Sequence, residues 1–290
     1  MRAERLSSCK VNLLLNILGK RPDGFHELET IFQPLPLYDR LEFSQTASGI
    51  SMTCSEATLP ADSSNLVWRA AAAFLAQAAI HDGVHIHLEK KIPMAAGLGG
   101  GSGNAAATLL ALNELFGGPL DPPTLQQLAA GLGSDVPFFL QTNPALGIGR
   151  GEVIEALDPF PVLSGACVLL IHPGFGVATA WAYKNLSLYP QALNGERGKA
   201  ARMIRLLRDG RLAEALQEGY NSLEAPVLRK YPLLSLFQDF LRSEGAPLAL
   251  MSGSGSTTFA IASNHAEAAV WREKFIAKFG PNYWTALVRL

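Results

Sequence analysis

Charge of either sign, cysteine and long apolar runs are all scarce in this chain. Only 17% of the 290 residues are charged, and 24 Lys and Arg against 25 Asp and Glu leave a net charge of −1. So nearly neutral a chain offers no global field to draw in nucleic acid or an acidic membrane surface. The three cysteines, Cys9, Cys54 and Cys167, are scattered and odd in number, with no CxxC pair. That pattern excludes a disulfide frame and a thiolate zinc site, and it fits a reducing compartment, the cytoplasm. No run approaches the ~18 uninterrupted apolar residues of a membrane span. The N-terminal "VNLLLNIL" follows two arginines as a secretory signal would, yet Lys10, Asn12 and Asn16 interrupt the apolar run and no small-residue cleavage site follows. A strand is the expectation there. HExxH, the EF-hand loop and GxSxG are also absent, which leaves zinc-peptidase and α/β-hydrolase chemistry without a foothold.

What is present is apolar: 48% of the residues are hydrophobic, enough for one large core or two ordinary ones. The pattern predicts a strand over Lys10–Leu18, a turn through Pro22, Asp23 and Gly24, and a helix over 65–80 capped by Asn65. A strand over 84–92 runs into a glycine-rich loop, and a helix from Asn104 to Phe116 ends at Gly117 and Gly118. Asp121 stands before a Pro-Pro helix start. "LDPFPVLSG" (157–165) interrupts the periodic segments with two prolines and a glycine, so it reads as the linker between domains 1–158 and 162–290. Beyond it the pattern gives a strand (166–172), helices across 196–219 and 226–243, strands on either side of "MSGSGSTTF", a helix (264–278) and a last strand (283–289). Strands and helices mixed on both sides of one linker indicate two α+β layers.

The loop at 92–107, "IPMAAGLGGGSGNAAA", concentrates five glycines between a strand and an alanine-rich helix. Free backbone N–H groups at a helix start make a phosphate site, favoured by the helix dipole. A Walker A loop requires a lysine after its glycines, and none is there. Gly101 to Ala106 does fit the dinucleotide pattern G-x-G-x-x-A. However, Pro93 to Gly100 separate it from the strand. A third form, P-x-x-x-G-L-G-G-G-S, is matched throughout. Two other clusters read as solvated faces: His85, His87 and Glu89 along one strand, and Arg197, Lys199, Arg202, Arg205 and Arg208 along one helical segment. By turn chemistry alone Asp135 is as well read as a cap, and Lys10 as a solvated strand end. Phosphoryl transfer to an alcohol would use both: a carboxylate within reach of the hydroxyl and a cation beside the developing oxyanion.

"PMAAGLGGGSGNAAA" resembles the phosphate loop of the GHMP kinases, the superfamily of galactokinase, homoserine kinase and mevalonate kinase. "CKVNLLLNILGKRPDGFHELET", "GSDVPFFL" (133–140) and "SGSGSTTF" (252–259) are similar to further motifs of that family, in its order and spacing, so the resemblance spans nearly the whole chain. It is closest to those members that phosphorylate the C2 hydroxyl of a cytidyl-diphosphate sugar alcohol in non-mevalonate isoprenoid synthesis. The resemblance implies an α+β, two-domain GHMP kinase, with an N-terminal ribosomal-S5-like domain, a C-terminal ferredoxin-like domain and the site between them. It implies ATP and Mg²⁺ as cofactors, and a small-molecule substrate with neither nucleic acid nor membrane as partner.

Carried onto this sequence, it assigns catalysis to Lys10 and Asp135. ATP falls to Pro93, Met94, Ala95, Ala96 and Gly97 in the first part of the loop, and to Leu98, Gly99, Gly100, Gly101, Ser102 and Gly103 in the second. Substrate falls to Asn12, Phe25, His26, Thr179 and Tyr183, with Phe25 and Tyr183 stacking on cytosine and His26 on its edge. Asn65 is a candidate for the adenine pocket and Ser102 a conceivable metal ligand. The chain departs from the family at three places: Phe25 stands for the usual tyrosine, Gly103 for a common second serine, and Thr257 for a frequent alanine. The competing readings are another GHMP kinase acting on a small alcohol, which has no use for an aromatic and a histidine in "PDGFH"; an NAD-binding oxidoreductase using Gly101–Ala106; and a catalytically dead nucleotide-binding regulator.

Overall fold

The computed structural model describes all 290 residues. Its first element is a long antiparallel hairpin, β1 (Arg2–Lys20) and β2 (His26–Thr46), turned at Pro22–Gly24. The sequence pattern announces only the middle of β1 and nothing of β2, because Pro34 and Pro36 lie inside the second strand and proline argues against a central strand. The ladder accommodates them by slipping: Ser8 faces Tyr38 while Cys9 faces Leu35, so Pro36 falls in a bulge. Along the chain follow β3 (Ile50–Cys54), α1 (Leu66–Gln77), β4 (Gly83–Glu89), α2 (Gly100–Leu115), α3 (Pro122–Leu132), β5 (Ala145–Gly149) and β6 (Val153–Ala156). The short strands β3, β5 and β6 carry too few alternating residues to be read in advance. The caps were legible: Asn65 accepts from Val67 N–H on α1, and Asp121 from Thr124 N–H on α3. Helices α1 to α3 cover one face of the sheet around Phe32, Phe43, Phe74, Leu109 and Phe138.

The second half runs β7 (Cys167–His172), α4 (Thr179–Asn185), α5 (Pro190–Leu193), α6 (Lys199–Arg208), α7 (Leu212–Gln217), β8 (Tyr220–Asn221), α8 (Glu224–Lys230) and α9 (Pro232–Ser243). Then come β9 (Ala249–Met251), β10 (Thr258–Ala262), α10 (His265–Phe279) and β11 (Trp284–Arg289). The sheet order β11-β7-β10-β9, antiparallel throughout, with α10 between β10 and β11, is the ferredoxin-like path. Phe237 of α9 and Trp271 and Phe275 of α10 pack on one face. Helix α4, which carries two expected substrate contacts, has only seven residues and no side-chain N-cap, so no periodicity betrayed it.

Two features fasten the halves. β8 leaves the second half to pair in parallel with β1 at Leu14 and Leu15. The 157–165 segment also packs: Leu157, Phe160 and Leu163 are buried in one core with Val11, Leu13, Leu170 and Phe259. Prolines marked the break in periodicity correctly but say nothing of burial. No helix is long and apolar enough to cross a membrane.

Candidate active site

Lys10 and Asn12 stand two residues apart and so share one face of β1. Lys10 is 2% exposed. Its Nζ donates to Asn12 Oδ1 at 2.7 Å and to Gly97 O at 3.0 Å, and pairs with Asp135 Oδ2 at 3.5 Å. Three acceptors match the three ammonium protons, which is what a buried cation needs. Asn12 is oriented in turn, donating to Thr30 Oγ1 at 2.8 Å, and that hydroxyl donates to Leu14 O at 2.6 Å. Asp135 sits on the turn after α3, its side chain 36% exposed, and hydrogen-bonds no backbone N–H. It is therefore no turn cap. Its one close partner is Lys10.

The glycine loop lies across this pair. Lys10 N–H donates to Leu98 O at 3.0 Å, and Gly97 O accepts from both Lys10 Nζ and Ser252 Oγ, the latter at 2.9 Å. Gly97 has φ +77°, and a Cβ there would come within 2.0 Å of Ser252 O, so only glycine lets the "SGSGSTTF" loop seat on the phosphate loop. Thr257 N–H donates to Ala96 O at 3.1 Å. Asn221 holds the far side, its Nδ2 donating to Met251 O at 2.7 Å and Gly253 O at 2.8 Å. Sequence reasoning missed Asn221, which lies in no glycine-rich or periodic segment. It also missed fully buried Asp39, which accepts from the Lys90 ammonium and from Lys91 and Ile92 N–H, securing the chain at the loop entrance.

Helix α2 begins at Gly100, four residues before the expected Asn104, because Gly99 in the left-handed region (φ +72°) is its N-cap. Gly101, Ser102 and Gly103 thus belong to its first turn. Pro93 to Ser102, with Met94, Ala95, Ala96, Leu98 and Gly100 between, line a cavity of about 520 Å³. Gly103 does not: it faces β1, where a Cβ would meet Ser8 O at 2.7 Å. The missing side chain there serves close packing of α2 on β1. Asn65 lines the cavity's far end, but its Oδ1 caps α1 and its Nδ2 donates to Pro60 O at 2.7 Å. Asn104, 2% exposed, leaves its Oδ1 without a partner on the same wall.

A second cavity, about 620 Å³, is lined by Phe25, His26, Arg150, Lys20, Lys184 and Ser134 among others. The His26 and Tyr183 ring centroids are 5.2 Å apart, and the Arg150 guanidinium lies 4.5 Å over the half-exposed Phe25 ring. Arg150 is a site residue the sequence gave no sign of. Burial, and then the Lys20 charge, hold the His26 imidazole below its usual range, so its ring presents one donor and one acceptor at neutral pH. Burial, and then Asp135, push the Tyr183 phenol up. Asp135, Thr179 and Tyr183 line both cavities. At this neck Thr179 Oγ1 and Ser254 Oγ are 2.8 Å apart. His85 and His87 bond Ser51 and Thr53 on an exposed face, and no group of three metal-ligating side chains forms.

The sequence profile of the GHMP kinases N-terminal domain matches residues 65–143, and that of the GHMP kinases C-terminal domain matches 203–282. The chain is 43% identical over 260 residues to the 4-diphosphocytidyl-2-C-methyl-D-erythritol kinase of Pelotomaculum thermopropionicum, covering 89% of this chain and 88% of that one. It is 42% identical to the enzyme of the same name from Moorella thermoacetica, covering 88% of each. A crystal structure of 4-(cytidine 5'-diphospho)-2C-methyl-D-erythritol kinase superposes with a TM-score of 0.81 at 35% identity, over 99% of this chain and 100% of that one. Homoserine kinase from Cytophaga hutchinsonii, at 18% identity and a TM-score of 0.74 over 100% of this chain and 94% of that one, shares the fold.

Proposed function

The chain belongs to the GHMP kinases, and from that membership we propose that it transfers the γ-phosphoryl group of ATP to the C2 hydroxyl of 4-diphosphocytidyl-2-C-methyl-D-erythritol. One observation carries the reading: a phosphate-loop cavity and an aromatic cavity meet at Asp135, with the Lys10 ammonium 3.5 Å from its carboxylate. Two ligands entering from opposite sides would have their reacting ends at that carboxylate.

ATP lies in the first cavity, its phosphates against the N–H groups of the loop and the start of α2, where the helix dipole favours anions. The cytidyl group lies in the second, between Phe25 and Tyr183, with His26 and Arg150 at its edge. Asn12 and Thr179 orient the sugar alcohol. Asp135 accepts the hydroxyl proton as the alcohol oxygen bonds the γ-phosphorus, and the bond to the β-phosphate oxygen breaks to release ADP. Lys10 orients Asp135 and stabilises the nascent alkoxide, which matters for a tertiary alcohol because it is a poor acid.

Mg²⁺ favours oxygen ligands and several waters, held by few protein groups alongside phosphates. The Ser102 hydroxyl and the partnerless Asn104 Oδ1 fit that demand and would hold it; bound there, it would neutralise charge on the β- and γ-phosphates. We keep 1–158 and 162–290 as the two domains and place the enzyme in the cytoplasm, consistent with three unpaired cysteines. The NAD reading loses support because Gly101–Ala106 lies within α2 and Gly103 faces away from the cavity. A GHMP kinase for a small alcohol would leave the aromatic cavity without a purpose.

The test is a coupled ATP-turnover screen of the purified protein against the cytidyl substrate, mevalonate, homoserine and galactose. Substantial turnover is expected with the first alone. Comparable turnover with mevalonate would sink the assignment.

A further inference from the structure

The aromatic cavity is unbalanced in charge. Four cations and acids decide its potential near the neck: Lys20, Lys184 and Arg150 against Asp135. Arg150 is answered by Glu152 at 3.1 Å, and Asp135 by Lys10 at 3.5 Å. Lys20 and Lys184 form no ion pair with a carboxylate within 4.0 Å, so two ammonium groups in the lining of this cavity remain uncompensated. They arrive from opposite halves of the chain, Lys20 as the last residue of β1 across the ladder from His26, and Lys184 on α4 next to Tyr183. Both lysines thus stand beside rings that would take a base, in a cavity that also reaches the Asp135 carboxylate.

We propose that Lys20 and Lys184 form the cationic clamp for the diphosphate that joins the cytidyl group to the sugar alcohol, and thereby set selectivity for a nucleoside diphosphate over a nucleoside. The proposal rests on the reading of this cavity as the cytidyl site. Its physical need is plain: a diphosphate passing the Asp135 carboxylate is repelled, and uncompensated cations alongside offset that repulsion. Lysine suits the task because its stem follows apolar surface while the ammonium reaches the phosphate as a point charge.

The experiment is calorimetric binding of cytidine and of CDP, with saturating ADP occupying the phosphate loop. It compares wild type with Lys20→Met, Lys184→Met, the double variant and Lys184→Arg. Methionine keeps the stem, and both sites are exposed, so melting temperatures should stay near wild type. Each methionine variant should lower CDP affinity by about tenfold with cytidine affinity unchanged, the double variant by more, and arginine should restore most of the loss. Added salt should narrow the CDP–cytidine gap in wild type and leave the double variant indifferent. An unchanged gap in the double variant, or parallel loss of CDP and cytidine, would overturn the clamp while leaving the cytidyl reading intact. Wild-type protein binding neither ligand would overturn the cytidyl reading itself, and the clamp with it.

Discussion

Asp135→Asn separates a catalytic base from a structural carboxylate more cleanly than any other single change. Asparagine keeps the shape and removes the ability to take the hydroxyl proton. Lys10 loses its 3.5 Å partner but retains Asn12 Oδ1 and Gly97 O, so the buried ammonium is not left bare. Because the Asp135 side chain is 36% exposed, the lost ion pair is worth no more than about 1 kcal/mol, a few degrees in Tm at most for a chain of this size. Turnover should fall by about 10²–10⁴-fold, the usual range for a general base, equivalent to roughly 3–5 kcal/mol of barrier. ATP affinity should hold or improve, since a negative charge facing the γ-phosphate has gone. Steady-state kinetics, ATP titration and thermal melting on one variant read all three. A folded variant with turnover within about tenfold of wild type, below the general-base range, would refute the assignment.

Three further outcomes follow from the same geometry. Gly97→Ala places a methyl 2.0 Å from Ser252 O, so the two glycine loops must part; calorimetry should show ATP affinity down about tenfold or more together with a lower Tm, and wild-type values for both would mean that the loops do not depend on this contact. Phe25→Ala removes one stacking face and should weaken substrate binding by about 1–3 kcal/mol with ATP affinity unchanged, whereas equal loss for both ligands would put Phe25 in the wrong pocket. Burial lifts the Glu224 carboxyl to about 7, opposed by the hydrogen bonds from Met251 N–H and Gln238. An acid raised on folding binds more protons folded than unfolded, so it costs stability as pH rises from about 4.5 to 7. Glu224→Gln should therefore raise Tm relative to wild type at pH 8 and lose that gain near pH 5; an equal gain at both would argue against the buried charge.

The residues of the candidate site were more legible in the sequence than the frame that holds them. The phosphate loop, Lys10, Asp135 and the "PDGFH" turn were legible because their residue types are tied to a ligand's demands, and the structure gathers them around two adjoining cavities. Helices with caps or strong periodicity, α1, α3 and α10, were legible for local reasons. What escaped depends on long-range pairing. β2 was hidden by prolines that only a bulge against β1 can absorb. Arg150 lies on the tight connection between two short strands, and its relation to Phe25 exists only once β5 pairs with β2. Asn221 tethers carbonyls about 30 residues away, a distance at which no local pattern speaks. The packing role of Gly103 was hidden because glycine in a loop and glycine for close helix packing look alike in sequence; only the 2.7 Å approach to Ser8 O reveals it.

The proposed activity is one act, transfer of a phosphoryl group to a specified oxygen. The most direct measurement is ³¹P and ¹³C NMR of the product formed from ATP and 4-diphosphocytidyl-2-C-methyl-D-erythritol by the purified protein. One new phosphomonoester coupled to the quaternary C2 carbon, appearing in step with ADP, is the predicted result. ADP formed without a phosphorylated alcohol, or phosphate carried on a different hydroxyl, would contradict it.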